Sequence, residues 1–169
     1  PGGAAVCGAM LWYPDETIQH AGVITGLGGY AGHSHKYKKA GGSGYLFRTA
    51  TVQDFSAVTG ACLLVKTSVW DEVKGLDEKF AVAFNDVDFC LRVRDKGYRI
   101  VWTPYAQLTH YESKSRGLDE SPAKRKRFAS EVERFQKRWA KQLAVGDPCM
   151  NPNFDLMKED FSFDIKPLE

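Results

Sequence analysis

The sequence predicts an α/β fold, and three stretches carry the prediction. In FNDVDFCLRVRDKGYRIVWTP (Phe84 to Pro104) a helical spacing of apolar residues passes, across a glycine, into the alternation of a strand. VTGACLLVK (Val58 to Lys66) is an apolar run of strand length. Phe128, Val132, Phe135, Trp139 and Leu143 recur at helical spacing. The composition agrees: of 169 residues 43% are hydrophobic and 26% charged, which suits one globular domain with its own core.

Taken in order, Ala4 to Trp12 is small and apolar and Pro14-Asp15-Glu16 is turn chemistry. A buried strand, a tight reversal and a returning partner from Thr17 to Ile24 are expected. Gly26 to Gly44 then holds seven glycines, His33, His35 and a lysine cluster from Lys36 to Lys39, the composition of a long mobile loop. His33-x-His35 would aim two imidazoles the same way from an extended strand, as a metal site needs. No nearby carboxylate or cysteine completes that site, so a solvated loop is the expectation. The glycines match neither G-x-G-x-x-G between strand and helix nor a GK[ST] phosphate loop.

Val58 to Lys66 reads as a strand interrupted at Gly60, where a glycine marks a bulge, a packing constraint or the close approach of a ligand. Thr67 or Ser68 caps a short helix through Val73 that stops at Gly75. Asn85 and Asp86 precede Val87, Cys90, Leu91 and Val93, and Gly97 follows, so a helix from Asp86 to Lys96 has both a start and a stop. Asp86-x-Asp88 has the letters of a D-x-D metal motif, but residues two apart do not share a helix face. Asp88 is expected instead to pair with Arg92 on the surface, for at most about 0.5 kcal/mol. Tyr98 to Thr103 alternates as a strand that ends at Pro104. Ser121-Pro122 starts an amphipathic helix of about 20 residues. Its other face is basic from Lys124 to Arg127, which suits solvent, a membrane surface or nucleic acid, with solvent expected. From Asp147 an extended tail is expected to dock through Phe154, Phe161 and Phe163.

Cys7, Cys62, Cys90 and Cys149 have no CxxC spacing and read as small hydrophobes rather than metal ligands. A net charge of +2 is too small to call for a polyanion such as nucleic acid as partner. No apolar run is long enough to span a bilayer and no signal-peptide pattern opens the chain. A cytoplasmic protein, at most peripheral at the inner membrane face, is expected. The chain begins at Pro1 without a methionine and ends in Leu168-Glu169, which suits a vector remnant, so a fragment of something longer is expected.

Phe84 to Pro104 and VTGACLLV, together with GLDEKF (Gly75 to Phe80) and HYESKSRG (His110 to Gly117), resemble the second half of an inverting family 2 glycosyltransferase of the GT-A type. YPDETIQHAGVITGLGGYAGH (Tyr13 to His33) resembles that family's mid-domain segment. FQKRWAKQL followed by DPCMNPNFDLMKEDFS (Asp147 to Ser162) resembles the tail of its bacterial multi-domain members. The resemblance implies that residues 1–146 are the acceptor-side half of a GT-A domain, a partial mixed sheet flanked by helices that lacks the N-terminal nucleotide-binding half. Residues 147–169 would be a surface tail.

The implied reaction moves a sugar, with inversion, from a nucleotide-sugar donor to a hydroxyl of a glycan or lipid-linked acceptor in bacterial polysaccharide or glycoconjugate assembly. By the same resemblance Asp86 is the general base, although the family usually has glutamate at the preceding position, where this chain has Asn85. His110 would complete a divalent manganese or magnesium site whose D-x-D ligands lie upstream of this chain. Thr59, Gly60, Ala61 and Trp70 would line the acceptor pocket, and Arg116 would reach the donor diphosphate. A sheet without its other half exposes an edge, so the isolated fragment is expected to be inactive and to form a homodimer or domain swap. A non-catalytic binding or assembly module with the same fold is the alternative, and nucleic-acid binding through Lys124 to Lys141 is not expected.

Overall fold

The structure, a computed structural model, describes residues 3–39, 41–111, 121–158 and 161–162. Along the chain come β1 (Ala4–Trp12), β2 (Ile18–His20), β3 (Val23–Thr25), β4 (Ala31–His33), β5 (Gln53–Asp54) and β6 (Leu63–Val65). Helices α1 (Thr67–Glu72) and α2 (Asn85–Asp95), strand β7 (Arg99–Thr109), and helices α3 (Pro122–Arg138) and α4 (Ala140–Val145) follow. The result is a mixed α/β arrangement around a five-stranded sheet, with β3 and β4 as a separate hairpin.

The sheet is organised around β1, whose small apolar residues are buried almost without alternation, as in a strand covered on both faces. One edge of β1 takes two antiparallel partners, β6 at Val6 to Gly8 and β2 at Leu11 and Trp12. The other edge pairs in parallel with β7 from Ala4 opposite Arg99 to Trp12 opposite Thr109. Close packing explains Gly8, since a Cβ there would lie 2.5 Å from Cγ1 of Val58. The reversal after β1 is held by Asp15, whose Oδ1 accepts from the Thr17 N–H at 3.1 Å and its hydroxyl at 2.7 Å.

Several expectations are corrected. The last strand does not end at Pro104: β7 runs on to Thr109, and its register slips between the pairs Ala9–Thr103 and Met10–Gln107. The proline, which has no N–H to give, sits in the bulge this creates. The run from Val58 is a strand only over Leu63–Val65, and the residues before it form an irregular turn. The segment after Gly26 is a solvated loop only from Tyr37 onward, where Tyr37, Lys38, Lys39 and Gly41 to Gly44 are exposed. Its first part holds β4, which closes a hairpin on β3, and His35 is only 2% exposed, with Ser34 Oγ 2.7 Å from Nδ1 and the Tyr45 N–H donating to Nε2. The two histidines find partners inside, while Lys38 and Lys39 stay at the surface.

Helix α2 starts at Asn85, so Asp86 is its second residue rather than a cap. Asp88 is fully buried, because α2 is covered on more than one side. Its carboxylate accepts from Arg92 Nε at 2.8 Å and Trp139 Nε1 at 3.0 Å, and forms an ion pair with Arg138 Nε at 3.2 Å. The amphipathic segment is two helices that meet at Trp139, not one. Ser121 does cap α3, its Oγ accepting from the Lys124 N–H at 3.3 Å with Pro122 at the first helical position. In the tail Phe154 is buried, and the Phe161 ring lies 4.3 Å from that of His35; Phe163 lies outside the described residues. Among the described residues no helix is long and apolar enough to cross a membrane.

Candidate functional site

The pairings of β1 create a cleft of about 530 Å³ where the end of the sheet meets the start of α2. Trp12 lies opposite both Ile18 of β2 and Thr109 of β7, so the residues that follow those positions, Gln19 and His110, become neighbours. The His110 N–H donates to the Trp12 carbonyl at 2.9 Å. Gln19 grips the same residue twice: Oε1 accepts from Nδ1–H of His110 at 2.8 Å, and Nε2 donates to the His110 carbonyl at 3.4 Å. An amide oxygen only accepts, so Nδ1 of His110 carries a hydrogen.

Asp86 is held from two directions. Its Oδ2 accepts from the Gly60 N–H at 2.7 Å, and its Oδ1 accepts from the Val87 N–H at 2.8 Å. A carboxylate offers about four lone-pair sites, so each oxygen keeps capacity for a further donor. Gly60 is small for a reason, since a Cβ there would lie 3.3 Å from Cβ of Asp86. The glycine in the apolar run marks the approach of this carboxylate. Asn85, next to it, turns its Oδ1 to the Asp86 N–H at 2.7 Å.

The turn that delivers Asp86 is strained. Phe84 adopts φ 64° and ψ 4°, a left-handed conformation that costs a non-glycine residue on the order of 1 kcal/mol. Its ring is held against Tyr30, Phe128 and Phe135, with centroids 5.5, 5.9 and 4.8 Å away. Just upstream, the Val82 and Ala83 N–H groups donate to the buried carboxylate of Glu131 at 3.0 and 3.1 Å. Helix α3 therefore fixes the entry to α2 by packing and by hydrogen bonds.

The family model described as glycosyl transferase family group 2 matches residues 16–149. The chain belongs to that family. It is 49% identical over 160 residues to the uncharacterized protein y4gI of Sinorhizobium fredii, which covers 94% of this chain and 18% of that protein. It is 34% identical over 161 residues to the O-antigen biosynthesis protein RfbC of Myxococcus xanthus, covering 90% of this chain and 12% of that protein. A shorter match, 36% identical over 62 residues, is to an N-acetylglucosaminyl-diphospho-decaprenol L-rhamnosyltransferase of Mycobacterium tuberculosis, covering 37% of this chain and 20% of that enzyme. The chain thus spans under a fifth of the length of the first two relatives. No solved structure matches it significantly.

In this family 2 chain the cleft gathers Asp86, His110, Thr59, Gly60, Ala61 and Trp70, while Arg116 lies outside the described residues. Trp70 is 36% exposed and leans on Phe89, with ring centroids 5.2 Å apart. Sequence reasoning missed Tyr13, Gln19, His33, Lys36 and Tyr111, which line the same cleft. Of these, His33 and Lys36 stand out in the sequence, but their glycine-rich surroundings point to a loop. A larger cavity of about 640 Å³ between α2, α4 and the tail contains none of the candidate residues. Its buried carboxylate, Asp147, is already used by the Thr25 N–H at 2.6 Å and the Thr25 hydroxyl at 2.9 Å.

The divalent cation implied by the resemblance finds one suitable group here. Gln19 orients His110 as an outer partner orients a ligating histidine, leaving Nε2 for a metal. Among the described residues, however, no three His, Cys, Asp or Glu side chains converge as a metal site. The described residues alone do not make a cation site.

Proposed function

We propose that this cleft is the acceptor side of an inverting sugar-transfer site, with Asp86 as general base. The observation that carries the reading is the carboxylate itself: half-buried in the cleft, fixed by the Gly60 and Val87 N–H groups, and still able to accept. An acceptor hydroxyl would give its proton to Asp86 as its oxygen bonds to the anomeric carbon of the donor sugar. The bond from that carbon to the diphosphate breaks, and its electron pair leaves with the nucleoside diphosphate. A positioned base of this kind contributes about 10²–10⁴ in rate. No step here passes through a cation.

We further infer that these residues are the acceptor-side half of a GT-A domain. Among the described residues β5 pairs with β7 only at Val101 and Trp102, so the β7 edge beyond is open to further strands. The names of the relatives, an O-antigen biosynthesis protein and a rhamnosyltransferase acting on a diphospho-decaprenol glycan, support polysaccharide assembly and a lipid-linked or glycan acceptor.

The test is nucleoside diphosphate release from a panel of nucleotide sugars with manganese, in the complete translated protein and its Asp86→Asn variant. Loss of turnover by at least about 10²-fold, with donor binding and folding intact, is expected. Turnover equal to wild type would reduce Asp86 to a structural residue. Donor and glycan binding without turnover in either protein would favour a non-catalytic binding module.

A further inference from the structure

A second histidine stands behind the cleft wall. His20 of β2 is fully buried, and its ring meets that of His33 edge-on, with centroids 5.0 Å apart and planes at 84°. Their Nδ1 atoms are 2.9 Å apart, a hydrogen bond between two nitrogens that needs a single hydrogen between them. The far side of His20 decides whose hydrogen it is. The Thr59 N–H donates to Nε2 of His20 at 3.4 Å, so that nitrogen is an acceptor and the ring carries its hydrogen on Nδ1. His20 donates and His33 Nδ1 accepts. His33 therefore keeps its own hydrogen on Nε2.

This pairing also fixes the charge. A protonated His33 would set N–H against N–H across 2.9 Å, so the geometry requires both rings neutral. Burial holds His20 well below the usual imidazole value, in keeping with a neutral His20. A neutral N–H donor suits an uncharged oxygen better than a phosphate. The lining adds further uncharged groups, Gln19, Thr59, Tyr13 and Trp70, with Lys36 and Asp86 as its charged members.

We propose that His33 is a substrate-binding residue that donates Nε2–H to a sugar hydroxyl in the cleft, and that His20 is the residue that positions it. The assignment of the ligand as a sugar rests on the transferase reading; the tautomers do not. The sugar belongs either to the donor or to the acceptor, and the two sources are separable.

Histidine-selective ¹⁵N labelling reads ring tautomers directly, and single substitutions assign the signals. The expected result near neutral pH is a hydrogen on Nδ1 of His20 and on Nε2 of His33. A His33 ring that carries its hydrogen on Nδ1, or on both nitrogens, overturns the proposal. The same signals are then followed while nucleotide sugars, the corresponding sugar-free nucleoside diphosphates and simple methyl glycosides are added to the complete translated protein. A change at His33 with nucleotide sugars but not with sugar-free diphosphates assigns the donor sugar; a change with methyl glycosides assigns the acceptor. His33→Phe should weaken the responding probe about tenfold, the worth of one hydrogen bond, and His33→Gln, which keeps a donor at the Nε2 position, should restore most of it. His20→Phe should behave like His33→Phe, and His20→Asn, which keeps a donor at the Nδ1 position, like wild type. Because His20 is buried and its phenylalanine variant could fail to fold, the partly exposed His33 carries the decision. No sugar-dependent change at His33, or equal affinity in His33→Phe, overturns the proposal. Sugar binding at His33 alongside undiminished turnover in Asp86→Asn would instead reject Asp86 as base and leave this assignment standing.

Discussion

Replacing Asp88 with alanine removes a carboxylate that ties α2 to the junction of α3 and α4. As a surface i,i+4 pair with Arg92 it would be worth at most about 0.5 kcal/mol. In the fold it is fully buried, accepts from Arg92 and the Trp139 indole, and pairs with the charge of Arg138. Breaking a buried ion pair from one side costs about 3–5 kcal/mol, because the remaining charge stays in place unpaired. Here the two guanidinium groups keep some relief: Arg138 still reaches Asp77 at 2.6 Å, and Arg92 still donates to the Gly75 carbonyl at 2.7 Å. Their side chains are 37% and 17% exposed, so water screens part of the loss. The lower end of that range, about 3 kcal/mol, is therefore expected for Asp88→Ala. Asp88→Asn, which keeps an acceptor for the indole but loses the charge, should cost about half as much. Urea unfolding followed by far-UV circular dichroism and tryptophan fluorescence measures both, provided the denaturant slope is unchanged. A loss below about 1 kcal/mol for Asp88→Ala would refute the buried-hub reasoning and restore the surface pair.

Three further outcomes can be checked independently. Gly22 has φ +92°, and a Cβ there would lie 2.5 Å from the ring of buried Phe55, so Gly22→Ala should lose about 3 kcal/mol in thermal or urea unfolding. Gly60→Ala should cost the fold less than about 1 kcal/mol, yet by crowding Asp86 it should lower turnover about tenfold; unchanged turnover would mean that Gly60 does not set the carboxylate. Burial, and behind it the cations of Arg48 and Lys38, push His35 down from 6.5 to about 4. Below 6.5 the unfolded chain then takes up a proton that the folded ring refuses, so stability should fall with pH from about 6.5 to about 4 and level off below. At about 1.36 kcal/mol per pH unit the loss from this ring is about 3 kcal/mol, in the same direction as the loss from His20. His35→Asn should flatten the profile over that interval, and a profile of unchanged slope would contradict the assignment.

What the sequence made legible is what depends on near neighbours. The β1 reversal at Asp15, the cap at Ser121 and the passage from α2 through Gly97 into β7 all rest on residues a few places apart, where spacing and turn chemistry decide the outcome. What failed depended on partners far along the chain. Pro104 is tolerated because β1, on the other side of the molecule's sequence, accommodates a bulge. Asp88 is buried by α3 and α4, and Gln19 meets His110 across 91 positions. Nothing local distinguishes such a glutamine from a solvated one. The candidate site is a mixture: Asp86, His110 and the Thr59–Ala61 turn were named through resemblance to a family, and periodicity supplied only the helix on which Asp86 sits. The left-handed Phe84 had no local signal, because its stability comes from three rings on other segments.

The parallel pairing of β1 with β7 has a bearing on how the chain is made. Trp12 and its side-chain partner Gln107 are 95 positions apart, so a ribosome working at about 5–20 residues per second produces β1 some 5–20 s before its central neighbour exists. During that interval a small, apolar, nearly uncharged strand holds one edge unmatched, the condition under which nascent chains mispair or recruit chaperones. Long-range pairing of this kind also slows folding after release, since the closing loop must be ordered before any of its contacts contribute. The cleft draws residues from both sides of that interval, from Tyr13 to Tyr111. A transcript cut anywhere before Thr109 thus loses the whole cleft rather than one wall of it, and a stalled chain carries Asp86 on a helix with no sheet end to face.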